Sequence, residues 1–533
     1  MPSKPPQTPP SGTASGRWIG FLLPSVTDLL FIAILLGLGC GALGRLLLRD
    51  ADIGWHIRNG QQMWLTHAIT RTDSFSSTLS GHTWYAWEWL YDLLIALIHH
   101  VFGLNGVVFY SAALIAAAFV LTLHLALRRG GNLLVTLLLL ILSLGASAIH
   151  FLARPHLVSW LLTVIWFEVL DSSADKHAEP GNRIFWLPAL MLLWVNLHGG
   201  FVLGFVLLAI YLTVQSLEYF THRDQREDLK ARLRPMWIAA ALSFLASFVN
   251  PYGYHLHLHI YRYLSDRFLM DQISEFRSPD FHGVAQQCFA VLLLVTLMAL
   301  ASARRRPSPA QLLVILFAVY SGFYATRNLP ASSLLLTLII APTLSETVAQ
   351  AGKDPSIARW LRGFFFWLDS FATRMGKMEL QLGGHVWLVL VFVLGLWACA
   401  NHGRIGSAQL INSYFDDQRF PVQAAEVIAQ RRIREPIFSL DYWGGYLIYR
   451  LYPETRVVLD DRHDLYGDQF FKDFLKVLYI QPGWDKVLEE QHVDWVLMPA
   501  QSTLATMLRV TPQWNLVYED KVAALFHRVN GKE

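Results

Sequence analysis

The sequence predicts a polytopic α-helical membrane protein with a small α/β domain at its C-terminal end. Three observations predict it. The 533 residues are 54% hydrophobic and only 16% charged, which is too apolar for one ordinary water-soluble domain. Apolar runs that approach the ~20 residues a helix needs to cross the hydrocarbon recur between residues 26 and 401. Beyond residue 401 polar and apolar residues mix, and β-branched runs alternate with helical patterns.

Residues 1–16 are rich in Pro, Ser and Thr, and residues 1–25 are expected to form a disordered cytoplasmic tail. The first apolar run, 26–48, is long enough to span, and no small-residue cleavage site follows it, so no cleaved leader is expected. Further spans are expected near 105–127, 131–150, 155–170, 184–196, 200–220, 235–250, 285–302, 310–326, 329–349 and 383–401. That makes about eleven, within a transmembrane domain covering 26–401.

Positive charge sets their direction. Basic clusters occur at Arg128-Arg129, at Arg223, Arg226, Lys230, Arg232 and Arg234, at Arg304-Arg305-Arg306, and at Lys353, Arg359, Arg362, Arg374 and Lys377. If the spans alternate, all of these fall on one side, which is the cytoplasm of a plasma (inner) membrane. The run Glu88–Phe102 would break the alternation if it spanned. It is short and carries Glu88, Asp92, His99 and His100, so it is read as an amphipathic helix in the outer interface. The outer side then receives loop 49–104, loop 250–284, the turns near Arg154 and His156, Asn196 and His198, and Arg327 and Asn328, and everything after 401.

From 402 to 533 an extracytoplasmic α/β domain is expected, with strands at 436–440, 456–460, 493–498, 514–519 and 523–529. Helices fit near 421–431, 445–451, 468–480 and 502–509, and no glycine-rich phosphate loop is present. The net charge of +3 is small and spread out, which argues against a nucleic-acid partner. Cys40, Cys288 and Cys399 each lie in an apolar run, which excludes a disulfide framework and a cysteine zinc site.

The candidate chemistry starts directly after the first span, at Arg49-Asp50-Ala51-Asp52. Two carboxylates one residue apart at a membrane surface can hold a divalent cation or serve as a base. The alternative is that Asp50 and Asp52 only pair with Arg49 and Arg58. Arg327, at a span end, suits a phosphate because a guanidinium binds two oxygens at once. Snorkelling to lipid headgroups is its alternative. Asn196 and His198 either close a turn or line the site. The spacing of His255, His257 and His259 shares a face on a strand but scatters around a helix, and Asn250-Pro251-Tyr252-Gly253 reads as a helix end. Arg462 and His463 are assigned to the fold of the C-terminal domain.

Asp52, Arg58 six residues on, Gly60, Asp73 and the stretch Trp84-Tyr85-Ala86-Trp87 resemble the first external loop of the GT-C superfamily of polyprenyl-linked glycosyltransferases. The oligosaccharyltransferase catalytic subunit is the nearest likeness. Asp441-Tyr442-Trp443-Gly444-Gly445-Tyr446, followed by a strand ending in Asp460-Asp461, is similar in place to that subunit's acceptor-recognising element. Ser274-Glu275-Phe276 resembles its flexible external loop. The layout is also similar to protein O-mannosyltransferases and lipid A aminoarabinose transferases.

The resemblance implies a GT-C-like helical domain and an inverting transfer of sugar from a polyprenyl phosphate donor to a protein, lipid or glycan acceptor. Asp52 would be the catalytic base and Asp50 its neighbour. Arg58, Arg154, Arg327 and His56 would bind the donor phosphate, and Glu275, Asp441, Tyr442 and Trp443 the acceptor. The turn near 151–156 offers Arg154 and His156 where that subunit carries acidic metal ligands, so the cofactor stays open, with a divalent cation on Asp50 and Asp52 as the candidate. A flippase or transporter of a lipid-linked precursor, and a silent scaffold with a binding domain, are the competing classes. The charges sit at span ends and no internal repeat is evident, which favours an enzyme.

Overall fold

The computed structural model describes residues 22–175, 182–303, 306–379, 382 and 384–529. The expected tail, up to residue 21, and Arg304-Arg305 of one basic cluster lie outside the described residues.

The expected run 26–48 is broken at Cys40 into helices Val26–Gly39 and Gly41–Leu46, and 235–250 falls in helix Arg226–Ser247; the other expected runs fall on apolar helices. Among the described residues, six helices are long and apolar enough to cross a membrane: Trp89–Arg128, Leu133–His150, His156–Ala174, Phe201–Thr221, Val284–Ser302 and Thr326–Ala351. Val26–Gly39, Asn182–Leu197, Pro309–Tyr324 and His385–Ala400 are shorter apolar helices. Several starts are fixed locally. Ser25 and Asp28 form a capping box at the first helix, Ser308 and Gln311 another, and Asn132 accepts from Leu134 and Val135. Helix Trp89–Arg128 is two helices joined at Gly103, whose φ of 62° is open to glycine and strained for other residues. The expected break between an 88–102 segment and a 105–127 segment is therefore present.

Helices Asp52–Thr66, Tyr254–Ser265 and Arg267–Gln272, within loops 49–104 and 250–284, were not expected, nor were two others. Arg359–Glu379 is amphipathic, with Trp360, Phe364 and Trp367 exposed beside its basic residues, and the interleaved charges hide it from a search for apolar runs. Trp484–Glu490 is short and mostly polar.

In the C-terminal part the main sheet runs β3 (Ile437–Ser439), β4 (Trp495–Pro499), β6 (Ala523–Arg528), β5 (Trp514–Glu519). A separate hairpin pairs β1 (Arg404–Ile405) with β2 (Ala408–Gln409). β3 and β4 are parallel and the other pairs of the main sheet antiparallel. The expected strand 456–460 is corrected to a single bridging residue. Val457 bridges Ser76 on one side and Ile437 on the other, and the chain then turns so that Asp460 can meet Arg462. Helix Asp441–Leu451 starts four residues earlier than expected and lies against helix Asp52–Thr66. Gly54 and Gly445 permit this, since a methyl group on either would enter the other helix's backbone.

Candidate active site

Asp52, His56 and Arg58 start on one helix, Asp52–Thr66, and its geometry separates them. His56, four residues on, stays on the Asp52 face, whereas Arg58 is turned away by roughly 120°. Asp52 and His56 accordingly line a cavity of about 520 Å³, and Arg58 does not. The cavity walls come from connections between alternate helices: the turn holding His150 and Arg154, the turn holding His198, loop 250–284 with Tyr263 and Glu275, the turn holding Arg327, and Asp461 and Asp464 beyond the last span. Alternate connections of an antiparallel bundle meet at one end, so residues distant in sequence converge there.

Arg154 is the centre of charge. Its Nη1 lies 3.1 Å from Asp50 and 2.9 Å from Glu275, and its Nη2 lies 2.5 Å from Asp52. Burial pushes the Asp52 carboxyl well above the usual range; Arg154 pulls it back in part, while Asp461 and Asp50 add to the rise. Burial likewise lifts Asp461 to about 7. For Glu275 burial is outweighed by Arg154, His150 and Arg327, which hold it down at about 2. Glu275 is thus firmly ionised, while Asp52 and Asp461 lie in an excess of negative charge to which Asp50 adds.

That excess bears on a cation. Ligand oxygens of Asp50, Asp52 and Asp461 all lie within 4.8 Å of one another, which is the hard all-oxygen donor set that suits Mg²⁺ or Ca²⁺. A divalent charge would offset the repulsion that raises Asp52 and Asp461. These residues fit a divalent cation.

The other expected residues divide. Arg327 lines the cavity with its guanidinium 4.3 Å from the centre of the Phe276 ring, and no carboxylate among the described residues pairs with it. Arg58 is corrected from phosphate ligand to tie: Nε and Nη2 both donate to the Tyr449 carbonyl, at 2.9 and 2.5 Å, fastening the loop helix to helix Asp441–Leu451. His56 reaches the cavity, but burial holds its imidazole down at about 3, so it brings no positive charge to a phosphate. Trp443 is corrected from acceptor contact to core residue, because it is 1% exposed and its indole donates to the Arg419 carbonyl. Asp441 accepts from Tyr442 N and contacts His463 at 3.1 Å; neither it nor Tyr442 lines the cavity.

Four participants were missed. Asp461 was quoted only as a strand end. Glu88 and Asp92 were read as polar residues of an interfacial helix, and the close approach of Gly60 to Asp92 brings that helix onto the site. Arg462 was assigned to the C-terminal domain alone, yet it bridges Asp460 at 2.7 Å and Asp73 of the first loop at 2.8 Å, under the Trp84 ring.

No protein-family profile matches the chain, and no curated protein matches it by sequence. Among solved structures, it is similar to the archaeal oligosaccharyltransferase AglB from Archaeoglobus fulgidus in complex with an inhibitory peptide and a dolichol-phosphate. The TM-score is 0.56 at 11% identity, covering 95% of this chain and 74% of that one. ArnT from Cupriavidus metallidurans in the apo state gives 0.48 at 12% identity over 97% and 99% of the two chains. The arabinofuranosyltransferase AftD from Mycobacteria gives 0.48 at 13% over 98% and 42%. The protein is a multi-pass membrane protein that shares its fold with AglB.

Proposed function

We propose that this protein is a glycosyltransferase that moves a sugar from a polyprenyl phosphate carrier to a protein, lipid or glycan acceptor. One observation carries the reading: a single cavity at one end of the helical bundle holds carboxylates with raised proton affinity beside Arg154 and an arginine, Arg327, without a carboxylate partner among the described residues. That is the chemistry needed to remove a proton at one point and stabilise a departing phosphate at another. The likeness to a structure containing a dolichol-phosphate supports a polyprenyl carrier. The distribution of Lys and Arg supports a plasma membrane location, with the cavity and residues 402–533 on the extracytoplasmic side.

In the proposed reaction Asp52 takes the proton of an acceptor hydroxyl as its oxygen attacks the anomeric carbon. The bond from that carbon to the phosphate oxygen breaks on the opposite face, so the product is inverted. Arg327 and Arg154 stabilise the charge that grows on the polyprenyl phosphate. Glu275 holds Arg154 in place from the long loop, and Asp50 accepts the Asp52 backbone N–H at 3.0 Å, which orients it. A divalent cation held by Asp50, Asp52 and Asp461 would add Lewis-acid stabilisation of the leaving phosphate.

The test is transfer of radiolabelled sugar from a panel of polyprenyl phosphate sugars by purified protein in lipid. D52N should lower turnover by about 10²–10⁴-fold while the protein stays monodisperse. Full activity in that variant overturns the role of Asp52. Absence of transfer by the wild type from every donor turns the reading toward a transporter.

A further inference from the structure

Beside the Asp52 and Arg154 cluster, the same cavity holds a second polar group that the proposed reaction leaves unused. Glu88 lines the cavity, 9% exposed, and its carboxylate accepts no hydrogen bond from the described residues. Two imidazoles face it, His198 Nε2 at 3.5 Å and His56 Nε2 at 3.7 Å. Both separations are long for a hydrogen bond.

The protons on this group can be placed. The Gly200 backbone N–H donates to His198 Nδ1 at 3.0 Å, and a backbone amide can only donate, so His198 Nδ1 is an acceptor. Ser159 Oγ, 2.7 Å from the same nitrogen, accepts the Trp194 indole N–H and is free to donate its own proton there. His198 therefore carries its proton on Nε2, the nitrogen that faces Glu88. His56 is fixed from behind: its Nδ1 lies 2.6 Å from Asp92, whose other oxygen accepts from Asn59 Nδ2 at 2.6 Å. Asn59 is in turn oriented by Thr70, which donates to its Oδ1.

Trp55 lines the cavity beside this pair, its ring tilted over His56 with the centroids 3.6 Å apart. Trp84 and Trp87 line the cavity nearby. A preset N–H donor, a carboxyl acceptor and flat apolar walls are what a sugar ring requires, since it offers hydroxyls at its rim and C–H groups on its face.

Resting on the glycosyl-transfer reading, we infer that Glu88 and the His198 Nε2–H, walled by Trp55, Trp84 and Trp87, form the subsite that reads the hydroxyl groups of the transferred sugar. Glu88 accepts from one hydroxyl, and the His198 Nε2–H donates to a hydroxyl oxygen. The ligand class is a neutral, polyhydroxylated sugar. A hexuronic acid is disfavoured, because its carboxylate would meet Glu88 with Asp92 and Asp464 close by.

The experiment compares donors and variants together. Polyprenyl phosphates carrying a transferable hexose, its 2-, 3-, 4- and 6-deoxy analogues and the matching hexuronic acid are assayed with wild type, E88L and E88Q in lipid. Wild type should lose at least about tenfold in kcat/KM on one deoxy donor and on the uronic donor. E88L should no longer distinguish that deoxy donor from the parent, and E88Q, isosteric and uncharged, should accept the uronic donor at least about tenfold better relative to the hexose. Donor preferences in both variants equal to those of wild type overturn the inference while leaving the transfer reading intact. Should E88L not purify as a folded protein, the E88Q ratio alone decides between the same two outcomes. No transfer by wild type from any donor overturns the transfer reading and the subsite with it.

Discussion

Gly54 and Gly445, 391 positions apart in the chain, lie backbone against backbone where the first loop helix crosses helix Asp441–Leu451. A methyl group on Gly54 would enter the Gly445 carbonyl, and one on Gly445 would enter the Ala51 carbonyl next to Asp52. Backbone cannot rotate away as a long side chain can. This crossing holds Asp461 beside Asp52.

Gly54→Ala should therefore lower stability by about 1–3 kcal/mol through overpacking and reduce transfer by displacing Asp461. Gly363→Ala, in the exposed amphipathic helix with nothing near its added methyl, should instead stabilise by up to about 1 kcal/mol. Thermal unfolding in detergent compares the two. Equal midpoints would mean the crossing is looser than the structure places it.

Arg154→Met leaves Asp50, Asp52 and Glu275 without the guanidinium they share. Its side chain is a quarter exposed, so the loss should be about 2 kcal/mol, between that of a surface pair and that of a fully buried one. Adding Asp461→Asn removes one carboxyl from the cluster and should recover part of the stability. A double-mutant cycle on unfolding measures this, and strict additivity would show that Arg154 and Asp461 do not act on one another.

Arg327 and Arg58 should separate cleanly. Arg327→Met is expected to cut transfer by about 10²–10³-fold with little change in unfolding. Arg58→Met should leave the rate within about tenfold but lower stability by about 1–3 kcal/mol, because the Tyr449 carbonyl loses both of its guanidinium bonds. Steady-state transfer rates and unfolding midpoints read both; equal rate losses would put Arg58 back in the site.

Glu88 makes stability depend on pH. Burial raises its carboxyl to about 7, with Asp92 and Asp464 adding to the rise and His56 and Arg154 opposing it. Between its ordinary value of 4.5 and about 7 the folded chain holds this proton and the unfolded chain has lost it. Its contribution to stability accordingly falls as pH rises through that window, and stays low above it. E88Q should flatten this part of the unfolding-versus-pH curve and unfold later than wild type at pH 8. A wild-type slope retained in E88Q would assign the titration to another group.

The expected apolar runs were legible because a membrane span is a local property, in which some twenty consecutive side chains meet the same solvent. Arg359–Glu379 escaped because its apolar residues face one way while its charges interrupt the run. Strands β4, β5 and β6 were legible from alternation, but 456–460 was not, since a β-branched run carries no record of how many backbone partners it will find.

The sequence by itself determined the helical membrane class, the change of composition after 401, the carboxylates Asp50 and Asp52 after the first span, and the sorting of the connections that carry Arg154, Glu275 and Arg327 onto one side. All of these follow from residue type and short-range spacing. Only the tertiary structure decided which polar groups meet: Arg154 with Asp50 across 104 positions and with Glu275 across 121, Asp461 with Asp52, and Glu88 with two imidazoles. It also moved Arg58 and Trp443 out of the site, one by helix rotation and the other by burial. These pairings depend on where helices cross, and a crossing is set by close backbone approach at Gly54, Gly60 and Gly445 between segments that no local period connects.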